Sequence, residues 1–122
     1  MKKILIVEDD KNFMMMLKNS LANQPVSVFY AEDGEIGLEK AEKENPDLIL
    51  IDIMMPKLNG IEMAKKIKEK GLNPKMIFLT NLNDEKNISE VLENFDQTDY
   101  ILKSDVNIDA VIERVKNKLG IK

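Results

Sequence analysis

The sequence predicts an α/β protein, a three-layer sandwich in which a five-stranded parallel sheet of order 2-1-3-4-5 is flanked by five helices. Three observations predict it. The aliphatic runs Ile4–Val7 and Leu48–Ile51 lack polar alternation, as do strands buried on both faces of a parallel sheet. Such runs alternate five times with stretches whose apolar residues recur at helical spacing. The connections are short, and right-handed crossovers set helices on both faces. The order is the common doubly wound one for five strands; it puts strands 1 and 3 together at the centre.

Each element follows from its residues. After Ile4–Val7, a helix from about Asp10 to Asn23 carries Phe13, Met16, Leu17 and Leu21 inward, with the run Met14-Met15-Met16 filling the packing beneath it. Pro25 ends that segment and Val26–Tyr30 forms strand 2. Asp33-Gly34 turns into a helix with inner face Ile36, Leu38 and Ala41, closed by Asn45-Pro46. Leu48–Ile51 is strand 3. The loop Met55–Gly60 opens a helix bearing Met63, Ala64 and Ile67, ended by Gly71 and Pro74. Met76–Leu79 is strand 4. Asn83 or Asp84 caps a fourth helix with Ile88, Val91, Leu92 and Phe95 on one face. Tyr100–Leu102 is strand 5, and Ile108, Val111, Ile112, Val115 and Leu119 mark the last helix.

Bulk composition narrows the function. A length of 122 residues fits one domain (1–122) with a full core. Charge is −4, from 22 acids and 18 bases, without a basic stripe, which disfavours direct nucleic-acid binding. No apolar run is long enough to cross a bilayer, and four apolar residues after Met1-Lys2-Lys3 are too few for a signal peptide. The absence of cysteine fits a reducing compartment, and the expected location is cytoplasmic. Histidine is also absent, so no Ser-His-Asp triad or zinc-histidine site can form. Any phosphohistidine must belong to a partner.

The chemistry is carried by residues that follow strand ends. Glu8, Asp9 and Asp10 stop strand 1, Asp52 stops strand 3, Thr80 follows strand 4 and Lys103 follows strand 5. Ligands of such sheets bind beyond the carboxyl ends of the strands, near the switch in strand order. Like charges gathered there repel unless a hard cation such as Mg²⁺ lies between them. Asp9 directly, and Glu8 directly or through water, supply oxygens to the metal, and the backbone carbonyl of Met54 can complete the set. Asp52 is the candidate nucleophile for phosphorus. Lys103 neutralises charge on a transferring phosphoryl group, and Thr80 offers it a hydroxyl. Taken singly, an Asp after a strand is more often a cap, and Asp10 and Asp33 are assigned so. Convergence from four strands distinguishes the rest.

The segment Asp52-Ile53-Met54-Met55-Pro56-Lys57-Leu58-Asn59-Gly60 resembles the phosphorylation loop of bacterial response-regulator receiver domains, the modules of two-component signalling. Ile4–Asp10, Pro46-Asp47, Leu79-Thr80 and Tyr100–Lys103 fall in family order, so the resemblance covers essentially the whole chain. It implies the flavodoxin-like receiver fold. It implies also that Asp52 accepts phosphate from a histidine kinase or histidine phosphotransfer protein, with Mg²⁺ held by Glu8, Asp9, Asp52 and the Met54 carbonyl. Thr80 and Tyr100 become a switch pair, biasing the face of the fourth and fifth helices and strand 5 toward a downstream protein target. Such a domain is a switch rather than an enzyme, catalysing only its own phosphorylation and dephosphorylation, and acts as a monomer or a phosphorylation-dependent dimer. The nineteen residues after Lys103 suffice for one helix, so no output domain is expected within this chain.

This sequence departs from the family at Ser104, where proline usually follows the lysine through a cis peptide, at Asn81, and at Asp96-Gln97. Two other readings compete. A flavodoxin-like FMN protein needs a Ser/Thr/Gly-rich phosphate loop after strand 1, where this chain has three acids. An aspartate-nucleophile phosphohydrolase needs two acids two residues apart after strand 1, which Glu8 and Asp10 imitate.

Overall fold

The computed structural model describes residues 1–55, 57–80, 99–103 and 107–121. Within them lie five strands, β1 (Lys2–Val7), β2 (Val26–Ala31), β3 (Leu48–Asp52), β4 (Lys75–Thr80) and β5 (Asp99–Leu102). Four helices are described, α1 (Lys11–Leu21), α2 (Gly34–Glu44), α3 (Gly60–Glu69) and α4 (Ile108–Leu119). The predicted helix around Ile88–Phe95, the Lys103–Ser104 peptide, Asn81 and Asp96-Gln97 lie outside the described residues. Among those described, no helix is long and apolar enough to cross a membrane.

The sheet is parallel throughout and runs β2-β1-β3-β4-β5, the predicted order. Alternate side chains of each strand feed opposite cores. Leu5, Val7, Ile49, Ile51 and Phe78 pack with Ala41, Met63, Ala64 and Ile67 of α2 and α3. Ile4, Ile6, Leu48, Leu50, Ile77 and Leu79 pack with Leu17 and Leu21 of α1 and Val111 and Val115 of α4. β3 is buried at every position, which is why its sequence shows no alternation. β2, at the edge, keeps four half-buried residues between buried ends.

Helix starts follow local chemistry. Asp10, Asp33, Asn59 and Asn107 are N-caps whose side-chain oxygens accept first-turn N–H groups. Asp10 and Asp33 thus hold their assigned roles.

Two predicted inner faces are corrected. On α1, Met14 is buried, whereas Met15 and Met16 are 58% and 49% exposed. Three consecutive methionines carry no phase, and the true stripe is Met14, Leu17 and Leu21. On α2, Ile36 is exposed and Leu38 only half-buried; the inner face is Gly34, Gly37 and Ala41. A Cβ at Gly37 would lie 2.9 Å from Met63 Sδ and 2.9 Å from Val7 Cγ2. The helix approaches the sheet so closely that only small residues fit.

Close approach also ties the sheet to α3. A Cβ on Gly60 would lie 2.4 Å from the Asp52 carbonyl oxygen and 2.6 Å from Ile51 Cγ2. The obstacle is backbone, which cannot swing aside. Gly60→Ala is therefore expected to cost about 3 kcal/mol, as overpacking against fixed atoms does, read as a lowered urea midpoint with an unchanged slope.

Candidate functional site

Glu8, Asp52, Thr80 and Lys103 occupy the carboxyl ends of β1, β3, β4 and β5 or the residue just beyond. One carboxylate oxygen from each of Glu8, Asp9 and Asp52 lies within 4.8 Å of the other two. Parallel register produces the convergence: Val7 pairs with Ile51, so both strands release their acids at one level. Glu8 is held from both sides, its N–H donating to Ala31 O at 3.1 Å and its Oε2 accepting from Asp10 N–H at 3.1 Å. Glu8 and Asp52 are buried, whereas Asp9 faces solvent.

Lys103 reaches across the sheet to the two buried acids. Its Nζ lies 2.7 Å from Glu8 Oε1 and 3.4 Å from Asp52 Oδ2. Its backbone N–H donates to Thr80 O at 2.8 Å, which fixes the root of the side chain. Met54 N–H donates to Asp52 Oδ1 at 3.3 Å, so the loop leaving β3 folds back on the acid it follows. The Met54 side chain is 55% exposed beside the site.

One lysine against three carboxylates leaves negative charge in excess. Burial pushes the Asp52 carboxyl up to about 8; hydrogen bonding and repulsion from Glu8 add to the rise, and Lys103 opposes it. Burial also works against the charge on Lys103, but Glu8 and Asp52 outweigh it and raise its pKa. A hard divalent cation suits such a donor set, because it takes carboxylate oxygens and cancels their repulsion. The acids present therefore fit Mg²⁺.

Thr80 is fully buried at the end of β4. Asp52 pairs with Leu79, which sets Thr80 one residue beyond the level of Asp52 on the neighbouring strand. Tyr100 pairs with Phe78 on β5, half-buried against the core that α2 and α3 cover. The loop 53–59 is fastened elsewhere too. Ile53 N–H donates to Leu79 O at 3.0 Å and Gly60 N–H to Ile53 O at 2.9 Å. Lys57, at φ 68°, lies 3.5 Å from Asp33.

Two groups escaped the sequence reading. The Phe13 ring, partly buried against the core under α1 as its spacing predicts, also lies 4.8 Å from Lys103 Nζ. The Lys57–Asp33 pair joins the loop to α2, and no spacing in the sequence signals it. Conversely, Asp10 does not join the cluster. Its Oδ1 accepts from Asn12 and Phe13 N–H at 3.0 and 3.2 Å, which removes the second acid a strand-1 phosphohydrolase requires.

Comparison with known proteins gives the family and the fold. Residues 4–116 match the response regulator receiver domain family. The chain is 42% identical over 84 residues to the alkaline phosphatase synthesis transcriptional regulatory protein PhoP of Bacillus subtilis, covering 69% of this chain and 35% of that protein. It is 38% identical to the transcriptional regulatory protein DegU of Brevibacillus brevis, covering 93% and 48%. The chain thus spans about half the length, or less, of these relatives. Among solved structures, the receiver domain of the Francisella response regulator 1452 superposes with a TM-score of 0.87 at 31% identity, covering 98% of both chains. A receiver domain protein from Methanospirillum hungatei gives 0.88 at 32%, covering 98% of this chain and 94% of that one.

Proposed function

The chain belongs to the response-regulator receiver family, and from that premise we propose that it is a cytoplasmic switch set by phosphorylation of Asp52. The observation that carries this reading is the Lys103 ammonium lying between Glu8 and Asp52, beside an acid cluster rich enough to hold a divalent cation. Glu8, Asp9, Asp52 and the Met54 carbonyl would hold Mg²⁺. When bound, the ion neutralises phosphoryl oxygens and keeps Asp52 ionised.

The chain's own residues do the rest. An Asp52 carboxylate oxygen attacks the phosphorus of a partner's phosphohistidine. The new O–P bond replaces the P–N bond, and the imidazole nitrogen leaves with the electron pair and takes a proton. Lys103 stays beside the incoming group as a point charge, and Thr80 donates its hydroxyl to a phosphoryl oxygen. Hydrolysis reverses the state: water attacks phosphorus, inorganic phosphate leaves and the carboxylate returns. The donor in this reading is a histidine kinase or histidine phosphotransfer protein, as family membership implies, and its histidine is a partner's because this chain has none.

Register supports the readout. Thr80 and Tyr100 sit on adjacent strands, and Tyr100 pairs two residues before the level of Thr80. A shift of the Thr80 hydroxyl toward the phosphoryl group opens space for the Tyr100 ring, which biases the surface around β5 and α4 toward a downstream protein target. The chain itself is a single receiver module; an output function belongs to a partner or to a longer protein carrying this module.

Incubation with acetyl phosphate and Mg²⁺ is expected to add the mass of one phosphoryl group, and chelation of the metal to prevent it, both read by intact-mass spectrometry. An unmodified protein under both conditions contradicts the proposal.

A further inference from the structure

We propose that Phe13 is a positioning residue for Lys103: its ring forms the wall of the site that holds the ammonium between Glu8 and Asp52. The inference rests on the function proposed above and assigns a role to a residue outside the acidic cluster.

The ammonium has three N–H groups and, among the described residues, two anionic neighbours, Glu8 at 2.7 Å and Asp52 at 3.4 Å. Phe13, with its centroid 4.8 Å away, is a further neighbour. An aromatic face attracts a cation through its quadrupole, most strongly where water is excluded. The Lys103 side chain is only 15% exposed, so the site is of that kind. A ring also differs from a third carboxylate in what it leaves alone: it attracts Nζ without competing for the metal or repelling phosphoryl oxygens.

The ring is held by the same segment that supplies the acids. Glu8 Oε2 accepts from Asp10 N–H, and Asp10 Oδ1 accepts from Phe13 N–H. Acid, cap and the backbone of Phe13 are therefore linked by hydrogen bonds. Across the sheet, the Lys103 backbone is tied to Thr80 O. The four-carbon stem between that anchor and Nζ has many rotamers, which the ring narrows. The restraint matters most when a cation occupies the carboxylate oxygens, because the lysine then loses part of its hold on Glu8 and Asp52.

The test is a double-substitution cycle with one spectroscopic reading. Phe13→Leu keeps apolar volume and removes the quadrupole; Phe13→Tyr keeps the ring. Each is made with Lys103 intact and with Lys103→Met, and the rate of phosphorylation by acetyl phosphate at saturating Mg²⁺ is measured. The Lys103 ε-methylene proton shift is read by NMR in the metal-free, unphosphorylated protein, where a ring face moves it upfield. Phe13→Leu is expected to slow phosphorylation about fivefold and abolish the upfield shift, with Phe13→Tyr retaining both. With Lys103→Met, Phe13→Leu is expected to change nothing further. An unaltered rate in Phe13→Leu, slowing that persists undiminished beside Lys103→Met, or an unaltered ε-methylene shift overturns the inference. The shift needs no phosphoryl transfer. If the wild-type protein accepts no phosphate, the proposed function fails, while the shift still decides whether Phe13 holds the lysine.

Discussion

Asp52→Asn is expected to abolish the phosphoryl adduct and, in the same protein, to raise stability at alkaline pH. The first effect is complete because an amide lacks the anionic oxygen that attacks phosphorus. The second follows from the site's charge. The folded-state pKa of Asp52, about 8, is far above that of an ordinary aspartate, 3.8. Between those values the folded state keeps a proton that the unfolded chain has released. Stability contributed by the group then falls as pH rises. It is fully present below about pH 4, declines through the window up to about pH 8, and stays lost above it.

Asparagine does not ionise and escapes that penalty. With metal removed, the variant is expected to exceed wild type by several kcal/mol at pH 8.5, at about 1.4 kcal/mol per unit by which the folded pKa is raised, and to approach it near pH 4.5, read from urea midpoints at both pH values. Saturating Mg²⁺ narrows or inverts the difference, because it binds the folded wild-type carboxylates and stabilises by mass action. A variant no more stable than wild type at pH 8.5 contradicts the charge excess assigned to the cluster.

Lys103→Met is the second large effect. It leaves Glu8 Oε1, now 2.7 Å from an ammonium, buried without its cation, and it removes the positive charge that meets the transferred group. Phosphorylation by acetyl phosphate is expected to slow about a hundredfold, the lower end of the range for loss of one group that stabilises developing negative charge. It should persist at that reduced rate, since Asp52 and the other acids remain. Coupling suffers more than chemistry. The lysine contacts Asp52 from the β5 side and is bonded through its backbone to Thr80, so it is the group best placed to report the phosphoryl group to Tyr100. Phosphorylated Lys103→Met is expected to bind a downstream target no better than the unphosphorylated protein. Equal partner affinity of phosphorylated wild type and variant contradicts that role.

The fold was legible where burial is extreme. Ile4–Val7 and Leu48–Ile51 sit between two helical layers, and only aliphatic residues satisfy both faces, so the runs announce themselves. Their terminating acids are equally visible, because a buried strand cannot continue through charge. Helix faces were harder. Met14-Met15-Met16 offers three equally apolar positions, and only the direction of Leu17 and Leu21 selects Met14. On α2 the inner face is largely glycine, which a search for apolar residues passes over. Phe13 hid for the opposite reason: a phenylalanine at helical spacing reads as core, and its second neighbour, Lys103, is ninety residues away in sequence. The contact exists because the end of β5 and the start of α1 reach the same rim, which sequence spacing alone does not report.

The central claim is that phosphorus is taken up by the carboxylate at position 52 rather than by another acid of the cluster. Borohydride reduces an acyl phosphate to an alcohol and leaves free carboxylates intact, so it marks the acceptor. After treatment with acetyl phosphate and Mg²⁺, then borohydride, peptide mass mapping is expected to find homoserine at position 52 and unaltered Glu8 and Asp9. Reduction at Glu8 or Asp9, or at neither those nor Asp52 in a protein that carries the phosphoryl mass, contradicts the account.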